Sequence, residues 1–280
     1  MMRMPSNHES ERLLQEEKRK NLLCGGLAGE IQQVAQGIML ARETVELQTR
    51  GALPESSARF IEPALADMDV CVRYLNYIAE NLADLTSQVQ GRLTPRLQPV
   101  EPAWQWEQMV SLVNESCPGG DRVHWECGCA EGQFVLADQA WADKVLLNLL
   151  MNALRYTQEP VRVSLQPEGE GMRLLVEDSG PGLPPELMEH LFEPFLADSA
   201  QDGARHGVGL GLYLAREYSL AMGWGFSLES GPAGTSVRLD IPADPLPSSG
   251  HASLRSASRS LAVRSRQADR LRTAQSCLAL

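Results

Sequence analysis

NLLMNALRYT, residues 148–157, is the stretch on which the reading of this chain turns. It closes a helical pattern that begins near ADKVLL, and it sets two asparagines among leucines. Asn148 and Asn152 are four residues apart, so both lie on one face of a helix. Two carboxamides there are poor choices for pure packing. Their oxygens can hold a hard cation such as magnesium, which keeps several waters of its own. Two polar residues on a solvated face account for the same pattern, so the neighbouring segments decide.

Downstream, VEDSGPGLP (176–184) reads as a strand that ends in acids and runs into a loop with Gly180 and Gly182. A carboxylate at the strand end, Asp178, can accept a hydrogen bond from an amine, and the glycines let backbone approach a planar ligand. A plain turn also fits this segment alone. LFEPFLADSAQDGARHG (191–207) carries a Phe-x-x-Phe pair and then a polar stretch of small residues that reads as mobile. GVGLGLYLAREY (207–218) opens a helix with Gly207, Gly209 and Gly211. Bare amides at a helix N-terminus form an anion site suited to a triphosphate. A glycine triplet alone is weak evidence, and its G-x-G-x-G spacing, with no βαβ unit before it, is not the dinucleotide fingerprint.

In this order the four segments resemble the N, G1, F and G2 boxes of the Bergerat-fold (GHKL) ATP-binding domain, shared by DNA gyrase, some heat-shock chaperones and two-component histidine kinases. The wording NLLMNA, FEPF and GVGLGL is similar to that of sensor histidine kinases, and GTSVRLDIP (234–242) resembles the last strand of the domain. The resemblance covers about residues 103–242 and implies an α/β sandwich that binds ATP and Mg2+. Asn152 would coordinate magnesium, with Asn148 beside it. Arg155 would meet a phosphate and Tyr156 would pack near the adenine. Asp178 would bind the adenine amine, Gly180 and Gly182 would shape that pocket, and Thr235 would add its hydroxyl. Gly207, Gly209 and Gly211 would carry the phosphates, with residues 196–206 as the ATP lid. The family often has Thr-Thr-Lys after the second phenylalanine. Here LADSAQDGAR follows, and Arg205 is the candidate for the missing positive charge. His206 abuts the glycines and is a second candidate for phosphate contact, whereas His190 reads as a helix-surface residue and His124 as structural.

Before this domain, residues 9–50 and 56–90 share a heptad pattern. Leu27, Ile31, Val34, Ile38, Ala41 and Val45 step by 4, 3, 4, 3, 4, and Met68, Cys71, Leu75, Ile78, Leu82, Leu85 and Val89 step by 3, 4, 3, 4, 3, 4. Such seams predict an antiparallel helical hairpin turned by RGALPES. Two helices alone cannot bury both seams, so a second copy making a dimeric four-helix bundle is expected. Hairpin plus ATPase domain resembles the histidine-kinase layout. The family's H box, often G-[IVL]-A-H-E-I-x-N-P, aligns without a gap on GLAGEIQQV (26–34). Leu27, Ala28, Glu30 and Ile31 match, but the phospho-accepting histidine falls on Gly29 and the proline on Val34. Glycine has no nucleophile. Glu30, which in the family acts as base towards that histidine, has no proton to take, and His8 is six turns away. Gln33 stands where the family often has an Asn or Thr that orients water for hydrolysis of a phospho-aspartate. The resemblance therefore implies action on a partner, either a response regulator or a partner kinase or phosphotransfer protein, through a homodimer or heterodimer. An ATP-gated phosphatase or sequestering scaffold is the alternative, and an anti-sigma-type serine kinase, a class without the long hairpin, is a third.

The expected organisation is a flexible N-terminus (1–8), the hairpin (9–90), a proline-stiffened linker (91–102), the ATPase domain (103–242) and a Ser/Arg-rich disordered tail (243–280). Residues 245–280 carry a net charge of +5 and the rest −16, for −11 overall, which argues against nucleic acid as the partner of the whole chain. The tail is either a plain solvated extension or a basic arm for an acidic surface. No apolar run reaches 18 residues, and a cytoplasmic protein is expected. Six cysteines are scattered; the one close pair, Cys127 and Cys129 in CGC, has the wrong spacing for a zinc knuckle and reads as reduced thiols.

Overall fold

The computed structural model describes residues 7–49, 55–89, 94–116, 121–195 and 209–243. Gly207, Arg205, His206, the expected lid and the basic tail lie outside the described residues. The chain divides into two compact units, residues 1–93 and 94–280.

The first unit is a helical hairpin of α1 (Asn7–Thr49) and α2 (Glu55–Val89). Gly25, near one end of the pairing, lies against Thr86. Cys24, Ala28 and Ala35 of α1 are buried, as are Leu65, Val72, Ala79, Leu82 and Leu85 of α2. Ile31 and Ile38 are half-buried. Within one hairpin the seam expected on α1 is only partly covered. Leu27 and Val34 are 50% and 57% exposed, and Val45 is exposed too. The physical reason is size and coverage. Small residues at 28 and 35 admit α2 on their side, and one partner helix covers only part of an apolar stripe about 100° wide. On α2, Leu75 and Ile78 are half-buried while Cys71 is exposed.

The second unit runs β1 (Gln98–Val100), α3 (Pro102–Ser116), β2 (Val123–Cys127), β3 (Val135–Ala137), α4 (Gln139–Tyr156), β4 (Val161–Glu168), β5 (Gly171–Asp178), α5 (Pro185–Met188), α6 (Gly211–Ala221), β6 (Gly225–Gly231) and β7 (Gly234–Ile241). Five strands form one sheet in the order β2-β4-β5-β7-β6, with β2 and β4 parallel and the other pairs antiparallel. A separate ribbon pairs β1 with β3. Thus β1 falls inside the stretch expected to be linker, and α3 is an element the sequence reading did not anticipate.

The strands alternate as a half-buried sheet requires. Val161, Val163, Leu165, Met172, Leu174, Val176, Val237, Leu239 and Ile241 are buried on one face, where α4 and α6 supply Leu146, Leu150 and Leu214. Each fully buried side chain of this kind contributes about 1.5–3 kcal/mol. The other face carries charge pairs: Arg173 meets Asp240 at 3.0 Å and Glu168 at 2.9 Å, and Arg162 meets Glu177 at 3.4 Å. The result is a two-layer α/β sandwich. β2 lies at the sheet's rim. On its side away from β4, the Asn114 carboxamide donates to the Val123 carbonyl and accepts from the Val123 amide, both at 2.8 Å.

Candidate functional site

α4 is the site's backbone, and its start is built by Asp138. The Asp138 carboxylate accepts from the amides of Ala140 (3.0 Å) and Trp141 (3.2 Å), satisfying two of the donors a helix leaves open. Its other oxygen accepts from the Arg96 amide at 2.9 Å. Thr157, extended at ψ 150°, ends the helix. This fixes which way the two asparagines face. Asn148 is 2% exposed and faces the interior, whereas Asn152, one turn on, lines a cavity. Arg155 is partly exposed in the last turn, and Tyr156 is 39% exposed at the cavity.

The cavity has a volume of about 80 Å³. Of the residues expected there, it gathers Asn152, Tyr156, Asp178, Gly182 and Thr235. Its walls are apolar: Leu149, Ala153, Val176, Leu212, Leu228 and Val237. A slot of this composition suits a flat, mostly apolar ligand held by few polar contacts.

Those contacts centre on Asp178. Its Oδ1 accepts from the Gly180 amide at 2.8 Å and the Thr235 amide at 3.3 Å. Burial raises its pKa above the ordinary carboxylate value, and the two amides pull the other way. Among the described residues, Oδ2 has no hydrogen bond, so the carboxylate keeps an acceptor for a ligand donor. Thr235 reaches the site because its strand pairs there, Asp178 lying opposite Thr235 in the β5–β7 register. Gly182 has φ +72°, and a Cβ on it would collide with the Gly231 carbonyl. Gly180 is buried behind the carboxylate, where a Cβ would come within 2.9 Å of Asp178 Oδ1.

Two residues were missed by sequence reasoning. Ser230 Oγ bonds the Thr235 hydroxyl at 2.9 Å and accepts from the Leu183 amide at 2.8 Å, pinning the loop over the cavity. Gly234, at φ +132°, passes so close to the Asp178 carbonyl that no side chain fits. Nothing local marks either one; they arrive through strand pairing.

On the helix side, Gly209 has φ +70°, its carbonyl accepts from the Phe195 amide at 3.1 Å, and Gly211 begins α6. Phe192 stacks edge-on against Phe226 at 5.6 Å with Arg216 over its ring at 5.0 Å. His190, exposed, meets Glu193 at 2.7 Å, and His124 is exposed on β2.

Residues 137–245 match the family model described as histidine kinase-, DNA gyrase B- and HSP90-like ATPase. The signal transduction histidine-protein kinase AfsQ2 of Streptomyces coelicolor is 31% identical over 192 residues, 67% of this chain and 34% of AfsQ2. Residues 137–245 belong to the ATPase family that histidine kinases share, and the chain is similar to histidine kinases over two thirds of its length. The sensor protein RstB of Escherichia coli strain K12 is 45% identical over 94 residues, 33% of this chain and 22% of RstB. The chain thus spans about a third or less of the length of these curated relatives. A full-length structure of ShkA in complex with AMPPNP shares the fold at a TM-score of 0.53 and 21% identity, over 80% of this chain and 47% of that one.

Gly29, Glu30 and Gln33, on which the H-box resemblance falls, lie on α1 and are all exposed. A Cβ added at Gly29 would meet nothing within 4 Å. No packing constraint therefore calls for glycine there. Among the described residues, no helix is long and apolar enough to cross a membrane.

Proposed function

We propose that this chain binds ATP with Mg2+ in the α4–β5–β7 cavity and transfers phosphate to a histidine on a partner protein of a two-component system. Its own helix has glycine where the resemblance puts the acceptor, and His8 is six turns away. The observation that carries the reading is the slot that brings Asp178 and Thr235 together, taken with the glycine that stands where the resemblance puts the acceptor.

The donor set suits the ligand. Asp178 would accept from an adenine amine, Thr235 would assist, and Tyr156 would flank the base. Asn152 would offer its carboxamide oxygen to magnesium, beside Asn148. Among the described residues no cluster of three or more His, Cys, Asp or Glu could hold a metal. That fits an ion which takes most of its oxygens from phosphate and water. Bound Mg-ATP supplies the phosphoryl group and neutralises its charge. Gly209 and Gly211, with Gly207 and Arg155, would receive the phosphates. The exposed apolar residues Leu27, Val34, Leu40 and Leu47 of α1 would face a second hairpin, either from the same chain or from a partner kinase.

Gln33 supports a second reading. It is exposed three residues after Glu30, where its amide could orient water against a response regulator's phospho-aspartate. Incubation with labelled ATP, alone and with candidate partners, separates the readings. Acid-labile label on the partner supports phosphotransfer. Absence of label, with faster loss of phosphate from a regulator, supports the phosphatase. Acid-stable label on a partner serine would overturn both.

A further inference from the structure

The CGC segment plays no part in the nucleotide site, yet the fold gives it a specific geometry. Cys127 ends β2, and Cys129 follows two residues on, after Gly128. Residues i and i+2 of extended chain point to one face. At about 3.2–3.4 Å of rise per residue, their Cα atoms stand roughly 6.4–6.8 Å apart. That is at the upper edge of the window of about 4.4–6.8 Å that a disulfide spans, and the chain bends at Cys129.

One carbonyl gathers the segment. Leu165 is the ladder partner of Cys127, and its carbonyl accepts from the Gly128 amide at 2.9 Å. The Cys129 thiol lies 3.8 Å from the same oxygen, and the Cys127 thiol lies 3.9 Å from the Cys129 carbonyl. Cys127 is exposed and Cys129 is half-buried; both are free thiols. Burial chiefly, then the charge of Cys127 and a hydrogen bond with it, pushes the Cys129 thiol up to about 11. The two sulfurs are thus neighbours with different tasks open to them. One is accessible for first attack, and the other lies half-buried beside it.

We propose that Cys127 and Cys129 form a peroxide-sensitive dithiol that closes to an intraloop disulfide. The Cys127 thiolate attacks one oxygen of hydrogen peroxide. An S–O bond forms, the O–O bond breaks, and hydroxide leaves, taking up the thiol's proton as water. Cys129 then attacks the sulfur of the Cys127 sulfenic acid. The S–S bond forms, the S–O bond breaks, and the departing hydroxide takes the Cys129 proton as a second water. Two thiols lose two electrons and one peroxide becomes two waters. Disulfides that form in reducing compartments are commonly of this sensing kind.

The test uses the full chain, reduced and then exposed to hydrogen peroxide, quenched, unfolded, alkylated, digested and weighed. The expected result is that the peptide holding both cysteines loses both alkylation sites together, ahead of exposed Cys71, and regains them on reduction. In C129S, Cys127 should take a dimedone label; in C127S, Cys129 should stay alkylatable. If both cysteines remain alkylated at a dose that has oxidised Cys71, the proposal is overturned. It is equally overturned if C129S shows no sulfenic acid at Cys127.

Discussion

At the scale of single residues, Asp178 sets the chemistry of the slot. Its pKa is raised, chiefly by burial. The folded chain therefore holds this proton more tightly than the unfolded one. The ionised carboxylate costs stability once pH rises above the unfolded value, and the cost is complete above the folded value. A ligand amine needs the ionised form, so at pH near or below the raised pKa binding should release a proton. Nucleotide affinity should weaken as pH falls through the raised pKa. Calorimetry in buffers of different ionisation enthalpy reads that release. D178N should lose the acid limb and weaken binding roughly tenfold or more, since hydrogen bonds to charged groups are worth about 1.5–3 kcal/mol. Gly182→Ala combines a positive φ with a collision against Gly231 and should cost more than about 1 kcal/mol, measured by chemical denaturation. Asp178 and Gly182 were legible in the sequence because each breaks a local pattern, an acid closing an apolar strand and a glycine in a turn; Thr235 came only with the family resemblance. Ser230 and Gly234 were not. Their roles come from strand register, which brings residues about 50 positions apart to one point.

At the scale of elements, α4 depends on its first turn. Asp138→Ala removes two capping bonds and the tie to Arg96. It should cost about 0.5–2 kcal/mol, with the melting temperature falling about 2–4 °C per kcal/mol. Circular dichroism would follow it. The helices and long strands of the second unit could be read from apolar periodicity. β1 could not, being three residues bracketed by prolines, and α3 was hidden because its tryptophans and glutamines blur the 3.6-residue period. The hairpin was legible as a pair of helices but not in its rotation. Periodicity places apolar residues on a face without saying which edge of that face a partner takes. Small Ala28 and Ala35 drew α2 to their side and left Val34 out. If that outer edge meets a second hairpin, V34E should shift the protein to lower mass in light scattering while leaving nucleotide affinity unchanged.

At the scale of the whole molecule, the two units were legible in different ways. The order of the four nucleotide boxes made the second unit readable, because no single box is specific. For the first unit, the reading is an ungapped alignment that puts the family's histidine on Gly29. Gly29→His tests that reading. Position 29 is exposed and a Cβ there meets nothing within 4 Å, and the helix gains a few tenths of a kcal/mol over glycine. G29H is expected to gain acid-labile phosphate from labelled ATP where the parent gains none; failure to do so in a folded, nucleotide-binding protein would sink the register. The rim of the sheet has a different bearing on the molecule. Unpaired strand edges are templates on which other chains can add strands and grow into fibres. At Val123 the Asn114 carboxamide occupies both edge groups as a neighbouring strand would. One side chain thus interrupts the edge that copies of this domain would need in order to polymerise.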